Sequence, residues 1–246
     1  EFIAENYPRS SRFRAGGFDG FMQGNVAMGR DRVVRLPDSI DREVAAFMEI
    51  ISVSNHAVGR FDRFSHSRRE NIAVWGDGNM GYITALLLRY RYPDARIYIM
   101  GVSREKLSGF SSADGTFDVR ANPDDMIIDH AFECVGGDGA PKAIDQIIDY
   151  IRPEATIGLL GVSENPVPMN TRMILEKGLR VFGSSRSGRA DFLNTIERFE
   201  KHPEMNELMK HIVGDVVNVR TGDDMHVAFR KDMAKAGGKT IMLWNV

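Results

Sequence analysis

Asn71-Ile72-Ala73-Val74-Trp75-Gly76-Asp77-Gly78-Asn79-Met80-Gly81-Tyr82 decides how the chain is read. A short apolar run meets a Gly-x-Gly-x-x-Gly turn, and a helical pattern follows with Met80, Ile83, Leu87 and Tyr90 at one-face spacing. Strand, glycine turn and helix together make a dinucleotide-binding signature. Gly76 allows the tight turn, Gly78 lets the backbone approach a pyrophosphate, and Gly81 lets the helix pack close to the strand. Asn79 and Met80 open the helix, whose N-terminal amides face the phosphates. An ordinary glycine-rich βα turn, or a methyltransferase loop, remains the alternative at this point.

Downstream of the turn, strands are expected at 72–75, 96–100, 127–132, 155–161 and 179–183, with a short one near 117–119. Helices are expected at about 80–92, 104–109 and 139–151, the last stopped by Pro153. Alternating β and α units imply a doubly wound α/β fold, a parallel sheet covered by helices on both faces. Ligands of such sheets bind at the carboxyl ends of the strands. Those ends carry Gly76, Gly101, Val135-Gly136, Gly161-Val162 and Gly183-Ser184-Ser185. Small residues there leave room for a cofactor.

Upstream, Phe18-Asp19-Gly20-Phe21-Met22-Gln23 and Arg32-Val33-Val34-Arg35-Leu36 read as short strands, and residues 41–60 as a helix. Val44, Phe47, Met48 and Ile51 give that helix its apolar face, with Glu49 beside it. Beyond the sheet, residues 189–213 read as a helix interrupted at His202-Pro203. An extended piece at 214–219, a helix at 222–235 and a closing strand at 239–244 follow.

The 246 residues fit one large or two modest domains, and 43% hydrophobic content is ordinary for a globular protein. A net charge of −2 gives no electrostatic case for nucleic acid. Arg9, Arg12 and Arg14 are candidates to meet an anionic small substrate, whereas Arg60, Arg63, Arg68 and Arg69 read as a solvated face. The single cysteine, Cys134, excludes an internal disulfide and any multi-cysteine zinc lobe within the chain. No run is apolar enough to span a membrane, and a cytoplasmic protein is expected.

The second strand chooses between coenzymes. In NAD sites an Asp or Glu ends this strand and holds the ribose hydroxyls. Here the expected position is Gly101, followed by Val102-Ser103-Arg104-Glu105-Lys106. Without the strand-end carboxylate, Ser103, Arg104 and Lys106 suit a 2′-phosphate, which favours NADP(H) over NAD.

Taken whole, the sequence resembles the medium-chain dehydrogenase/reductase superfamily. The stretches that carry the resemblance are Gly17-Phe18-Asp19-Gly20-Phe21, Ala45-Ala46-Phe47-Met48-Glu49, the glycine turn, Phe132-Glu133-Cys134-Val135-Gly136-Gly137, Leu159-Leu160-Gly161-Val162-Ser163 and Lys239-Thr240-Ile241-Met242-Leu243-Trp244. Asp129-His130-Ala131-Phe132, Gly161–Met173 and Gly183-Ser184-Ser185-Arg186-Ser187-Gly188-Arg189 make it most similar to the ribulose-5-phosphate reductases of wall teichoic acid and capsule synthesis.

The resemblance implies a Rossmann domain at about 61–185, flanked by parts of a β-rich, GroES-like catalytic domain at 1–60 and 186–246, with the active-site cleft between them. It implies NADPH-dependent, zinc-assisted reduction of D-ribulose 5-phosphate to D-ribitol 5-phosphate, the precursor of CDP-ribitol. Glu49 matches a zinc-binding glutamate of polyol-type members, and Arg186 matches an arginine that contacts substrate. The turn residues Gly76, Gly78, Asn79, Met80 and Gly81, with Ser103, Arg104, Lys106, Val135, Gly161 and Val162, are the implied cofactor set. A homodimer and a cytidylyltransferase pathway partner are implied as well. The family's segment with the zinc cysteine and a His-Glu pair has no counterpart in this sequence, and Cys134 is expected to be a packing residue. The alternatives are another polyol or sugar dehydrogenase, or a truncated NADP-binding protein without catalysis.

Overall fold

In the computed structural model, which describes residue 15 and residues 19–121, 126–234 and 237–245, the apolar run before the glycine turn forms β1 (Asn71–Trp75), buried at every position. Such a run suits a strand covered on both faces. Five strands join it: β2 (Arg96–Gly101), β3 (Gly115–Asp118), β4 (Ile128–Glu133), β5 (Ile151–Leu159) and β6 (Arg180–Gly183). They are parallel, in the order β3-β2-β1-β4-β5-β6. The order reverses between β1 and β4, where doubly wound sheets open a crevice for ligands. Registers of Trp75 with Met100 and with Glu133 bring three strand ends level beside the glycine turn.

Helix α3 (Asn79–Arg91) follows the turn. Residues 81–88 are all buried, so its burial is wider than the single face expected from the sequence. One side meets the sheet, and on another Ser54 Oγ lies 3.1 Å from Thr84 Oγ1. Helix α5 (Ala140–Tyr150) is more one-sided and packs Ala143, Ile144, Ile147 and Ile148 into a core with Trp75, Met100 and Ile157. The short helices α4 (Arg104–Ser108) and α6 (Thr171–Glu176) complete this layer; α6 gave no clear sequence signal. Pro153 follows α5 by three residues, as expected, and lies inside β5, which begins directly after the helix. The strand pairs at Ile151 and again from Thr156, and the irregular stretch between tolerates a residue without an amide.

Ser54–Ser184 form one compact unit, and the described residues up to Val53 and from Ser185 form a second. The boundary falls inside a helix, α2 (Met48–Phe64), ahead of the expected residue 61. In the second unit, the expected helix at 41–60 is broken by a turn into α1 (Arg42–Ala45) and α2. Asp41 caps α1, its Oδ1 accepting the Glu43 amide at 2.9 Å. Asn206 of α8 (Met205–Met209) accepts the Asp41 amide at 2.8 Å. Helix α7 (Arg189–Lys201) precedes α8, and β7 (Val213–Val219) and β8 (Lys239–Trp244) pair in parallel through α9 (Gly222–Ala234).

Two expected strands do not form. Residues 33–36 follow a 3-10 turn at Arg30–Arg32, and no described strand pairs with them, although Arg189 donates to the Val33 carbonyl. Val33 is half exposed, so this apolar pair buries too little to hold an extended segment in a ladder. The described part of 18–23 is likewise irregular. Gly17, Phe18 and the cluster Arg9, Arg12 and Arg14 lie outside the described residues.

The second basic cluster is only in part a solvated face. The Arg60 guanidinium lies over the rings of Phe64 and Phe182, and Arg69 lies over Phe61 and Tyr92. Arg68 and Arg152 pair with Asp129, each at 3.1 Å, and that carboxylate is fully buried. Arg63 and Arg68 keep the expected exposure, whereas Arg60 and Arg69 are half-buried. Aliphatic stems and flat guanidinium heads let arginines cover aromatic surface while staying near water.

Candidate functional site

The glycine turn is shaped by contacts that leave no room for side chains. Gly76 has φ +128°, and a Cβ there would stand 2.8 Å from the Cys134 carbonyl oxygen. A Cβ on Gly81 would stand 1.9 Å from the Gly76 oxygen. Gly78 is different: nothing lies within 4 Å of its missing Cβ. Gly76 and Gly81 therefore make the turn, and Gly78 between them is open, as a phosphate's approach requires. No side chain caps α3 at Gly78, so the amides of Asn79, Met80 and Gly81 are not consumed by a cap.

At the end of β2, Gly101 carries no acid, and the structure shows that it cannot. A Cβ on Gly101 would collide with Asp77, 2.6 Å from its Cβ and 2.7 Å from Oδ2. Asp77 Oδ2 accepts the amides of Val102 and Ser103, both at 2.7 Å. Ser103 Oγ accepts the Lys106 amide at 3.3 Å. From the turn after β3, Arg120 donates to the Val102 carbonyl at 3.1 Å and clasps Asp118 through two nitrogens at 2.6 and 2.8 Å. Those hydrogen bonds hold the Asp118 carboxyl down to about 2, with Arg104 adding to the effect.

Glu133 organises the ends of β4 and β5. It is 1% exposed, yet no cation meets it among the described residues. Its Oε1 accepts the Val135 and Gly136 amides at 2.8 Å, and Oε2 accepts the Gly161 amide at 3.1 Å. Oriented backbone amides of this kind make an anion-holding nest. Gly136 has φ +64°, and a Cβ on it would meet the Val162 oxygen at 2.6 Å. Val135 and Val162 stay outside, 43% and 87% exposed, as apolar surface beside the turn. Cys134 is buried, and burial pushes its thiol far above the usual range.

Glu49 and Arg186 both belong to the other unit. Ser52 Oγ donates to the Glu49 carbonyl at 2.6 Å and lies 2.7 Å from Ser187 Oγ. Since the Ser52 proton is used on Glu49, Ser187 is the donor in the second bond. That chain of bonds brings the segment of Arg186 against the first turn of α2. Arg186 has φ +64°, a left-handed conformation uncommon for a residue with a side chain. The Glu49 carboxyl is surface-exposed, but its neighbours desolvate it enough to raise its pKa. Among the described residues, no three His, Cys, Asp or Glu side chains gather to hold a metal. The residues described here therefore do not make up a zinc site. His56, seven residues after Glu49, is buried in the core.

A family profile described as zinc-binding dehydrogenase matches residues 111–201. The whole chain aligns with ribulose-5-phosphate reductase of Bacillus spizizenii at 48% identity, spanning 72% of that protein. The chain belongs to the ribulose-5-phosphate reductases. Ribulose-5-phosphate reductase 2 of Staphylococcus aureus is 49% identical over 99% of this chain and 72% of its own length. The crystal structure of S. aureus TarJ in complex with NADPH matches with a TM-score of 0.89 and 46% identity, over 93% of this chain and 72% of that one.

Three residues whose side chains hold the backbone of the candidate site were not singled out from the sequence. Asp77 lies inside the glycine motif, where the eye rests on the glycines. Glu133 had a signal: an acid closing the apolar strand of β4 must be neutralised by something. Arg120 had none, because its place depends on β3 running alongside β2.

Proposed function

We propose that this chain binds NADPH and takes part in the reduction of D-ribulose 5-phosphate to D-ribitol 5-phosphate. The observation that carries the reading is the end of β2. The acid that would hold an unmodified ribose is replaced by Gly101, whose Cβ space Asp77 fills, with Ser103, Arg104 and Lys106 beside it. The similarity to ribulose-5-phosphate reductases and to an NADPH complex supports the same coenzyme.

Bound NADPH supplies the hydride that reduces the C2 ketone, while a proton goes to its oxygen. The chain's part is placement. The amides of Asn79, Met80 and Gly81, with Gly76 and Gly78, take the pyrophosphate. Ser103, Arg104 and Lys106 take the 2′-phosphate by charge-assisted hydrogen bonds. Val135, Gly161 and Val162 offer the nicotinamide an apolar surface to cover. Arg186 takes the phosphorylated or polyhydroxylated substrate. Glu49 would be one oxygen ligand of a zinc ion, a Lewis acid toward the ketone, but the described residues alone do not complete such a site.

The flanking unit is assigned as part of the GroES-like catalytic domain. A homodimer fits the edge position of β6, whose outer side no described strand covers. The product's use as precursor of CDP-ribitol for teichoic acid or capsule, and a cytidylyltransferase as pathway partner, belong to the same proposal, as does a cytoplasmic location. No helix of the described residues is long and apolar enough to cross a membrane.

The test follows NADPH oxidation at 340 nm with D-ribulose 5-phosphate and added zinc, with NADH and unphosphorylated ketoses in parallel. Turnover confined to NADPH and the phosphorylated ketose supports the reading. Turnover on unphosphorylated polyols or their ketoses favours a different sugar dehydrogenase. NADPH binding without any turnover favours a non-catalytic coenzyme-binding protein.

A further inference from the structure

We propose that Asp77 sets the coenzyme preference: it fills the strand-end space of an NAD-type acid and fixes the turn that presents Ser103, Arg104 and Arg120 to the adenosine 2′-phosphate. The proposal rests on the NADPH reading and deepens it by naming a positioning residue and a further cation.

The geometry leaves Asp77 little other purpose. Its carboxylate reaches from the glycine turn to the next crossover and holds both amides that follow Gly101, each at 2.7 Å. Those amides are then unable to bind a ligand, so recognition at this point falls to side chains. The negative charge points into the backbone and is partly offset by two donors, which limits its repulsion of a phosphate. At the same time, no side chain at residue 101 can coexist with it, since a Cβ there would overlap Asp77. Asp77 therefore excludes the NAD-type arrangement by volume.

Arg120 completes the device from the turn that follows the neighbouring strand. Its bond to the Val102 carbonyl ties the other side of the same turn, and Asp118 holds the guanidinium there. The Arg120 side chain remains 63% exposed, so this cation is fixed at one edge and open to solvent at the other. Asp118 is paired with Arg120 through both hydrogen bonds and charge, which fixes the guanidinium beside Val102. Ser103, Arg104 and Arg120 thus converge on one turn whose backbone is held by Asp77 on one side and Arg120 on the other. Ser103 keeps its hydroxyl proton for a phosphate oxygen, since its oxygen is the acceptor of the Lys106 amide.

The test uses the full chain and two adenosine fragments, 2′,5′-ADP and 5′-AMP, as competitors of bound NADPH followed by its fluorescence. These report on the adenosine end and need no turnover. In the unaltered chain, 2′,5′-ADP should bind at least tenfold more tightly than 5′-AMP. Asp77→Ala should erase most of that preference by weakening 2′,5′-ADP about tenfold, with 5′-AMP held within twofold. Asp77→Asn, which keeps an acceptor oxygen, should retain part of it. Arg120→Ala should weaken 2′,5′-ADP alone, and Arg120→Lys less so. Far-UV circular dichroism and thermal melts check that each variant is folded. Equal weakening of both fragments by Asp77→Ala would make Asp77 a general scaffold residue and overturn the proposal. So would an unchanged or stronger preference for 2′,5′-ADP. An unaltered chain without the preference overturns the NADPH reading itself, a result separate from the behaviour of the variants.

Discussion

Glu133, at the end of β4, accepts the amide of Gly161, just beyond β5, at 3.1 Å, and a Cβ on Gly161 would stand 2.6 Å from the same carboxylate oxygen. Two loops of the coenzyme site are thus built around one buried acid with only backbone donors. Replacing it by glutamine turns an amide NH2 toward one of three N–H groups. Glu133→Gln should lower unfolding free energy by about 1–3 kcal/mol, the usual cost of unmaking buried hydrogen bonds. NADPH affinity should fall with it. Urea unfolding and fluorescence titration would check both, and an unchanged variant would remove Glu133 from the site's support.

Gly78 and Gly81 separate what the ligand needs from what the fold needs. Gly81→Ala puts a methyl group into the Gly76 carbonyl and should destabilise the protein by more than about 2 kcal/mol, as a clash with backbone does. Gly78→Ala meets nothing within 4 Å. It should leave the melting temperature within a few degrees while weakening NADPH at least tenfold, because the new methyl occupies the pyrophosphate's approach. Equal loss of stability in both variants would contradict this division.

Arg186 holds a backbone conformation that suits glycine, with φ +64°. Such a residue stores roughly 1 kcal/mol of strain or more. Arg186→Gly should therefore match or exceed the parent in stability, whereas Arg186→Ala keeps the strain and gains nothing. Both should raise KM for D-ribulose 5-phosphate if the guanidinium meets the substrate. A stabilised variant with unchanged KM would assign Arg186 a purely structural place.

His130 makes stability depend on pH. Burial, with help from the neighbouring His66, drops its pKa from 6.5 to about 3. Asp129 opposes the shift, Arg69 favours it, and the ring of Phe61 packs at 5.0 Å. The Nδ1 atom accepts the Thr156 amide at 3.1 Å, so the neutral ring carries its proton on Nε2. The unfolded chain takes up a proton near pH 6.5 and the folded chain does not. Stability is then complete above that pH and declines as pH falls toward 3, with a slope approaching about 1.4 kcal/mol per unit. His66 is lowered by burial and Arg68 and works in the same direction. His130→Asn keeps an acceptor for Thr156 and should flatten the decline between pH 7 and 5. Parallel curves for the two proteins in urea unfolding would sink this account.

The glycine turn, the parallel sheet and the strand-end positions were legible because each follows from local pattern. A buried run, three spaced glycines and a helical repeat need no knowledge of distant residues. What the sequence hid depends on neighbours brought together by the sheet. Arg60 and Arg69 read as a charged surface, but the rings of Phe64, Phe182, Phe61 and Tyr92 draw them in, and the exposed Arg68 is tied to the buried acid of Asp129. Residues 32–36 have strand-like composition, yet no described strand lies alongside to accept their amides. Asp77 and Arg120 meet at Val102 only because β1, β2 and β3 are adjacent.

Ser54–Ser184 run without interruption through all six parallel strands, while the other unit draws on both sides of that stretch. A growing chain can close the continuous unit from segments already in hand. The split unit has to wait for residues beyond Ser185, and pays the entropy of joining ends separated by more than half the sequence. The order of assembly is therefore written into the connectivity: the coenzyme turn and its sheet come first, and the segments bearing Glu49 and Arg186 are joined last. Pulsed hydrogen exchange should find amides of β1 and β4 protected ahead of those in β7 and β8.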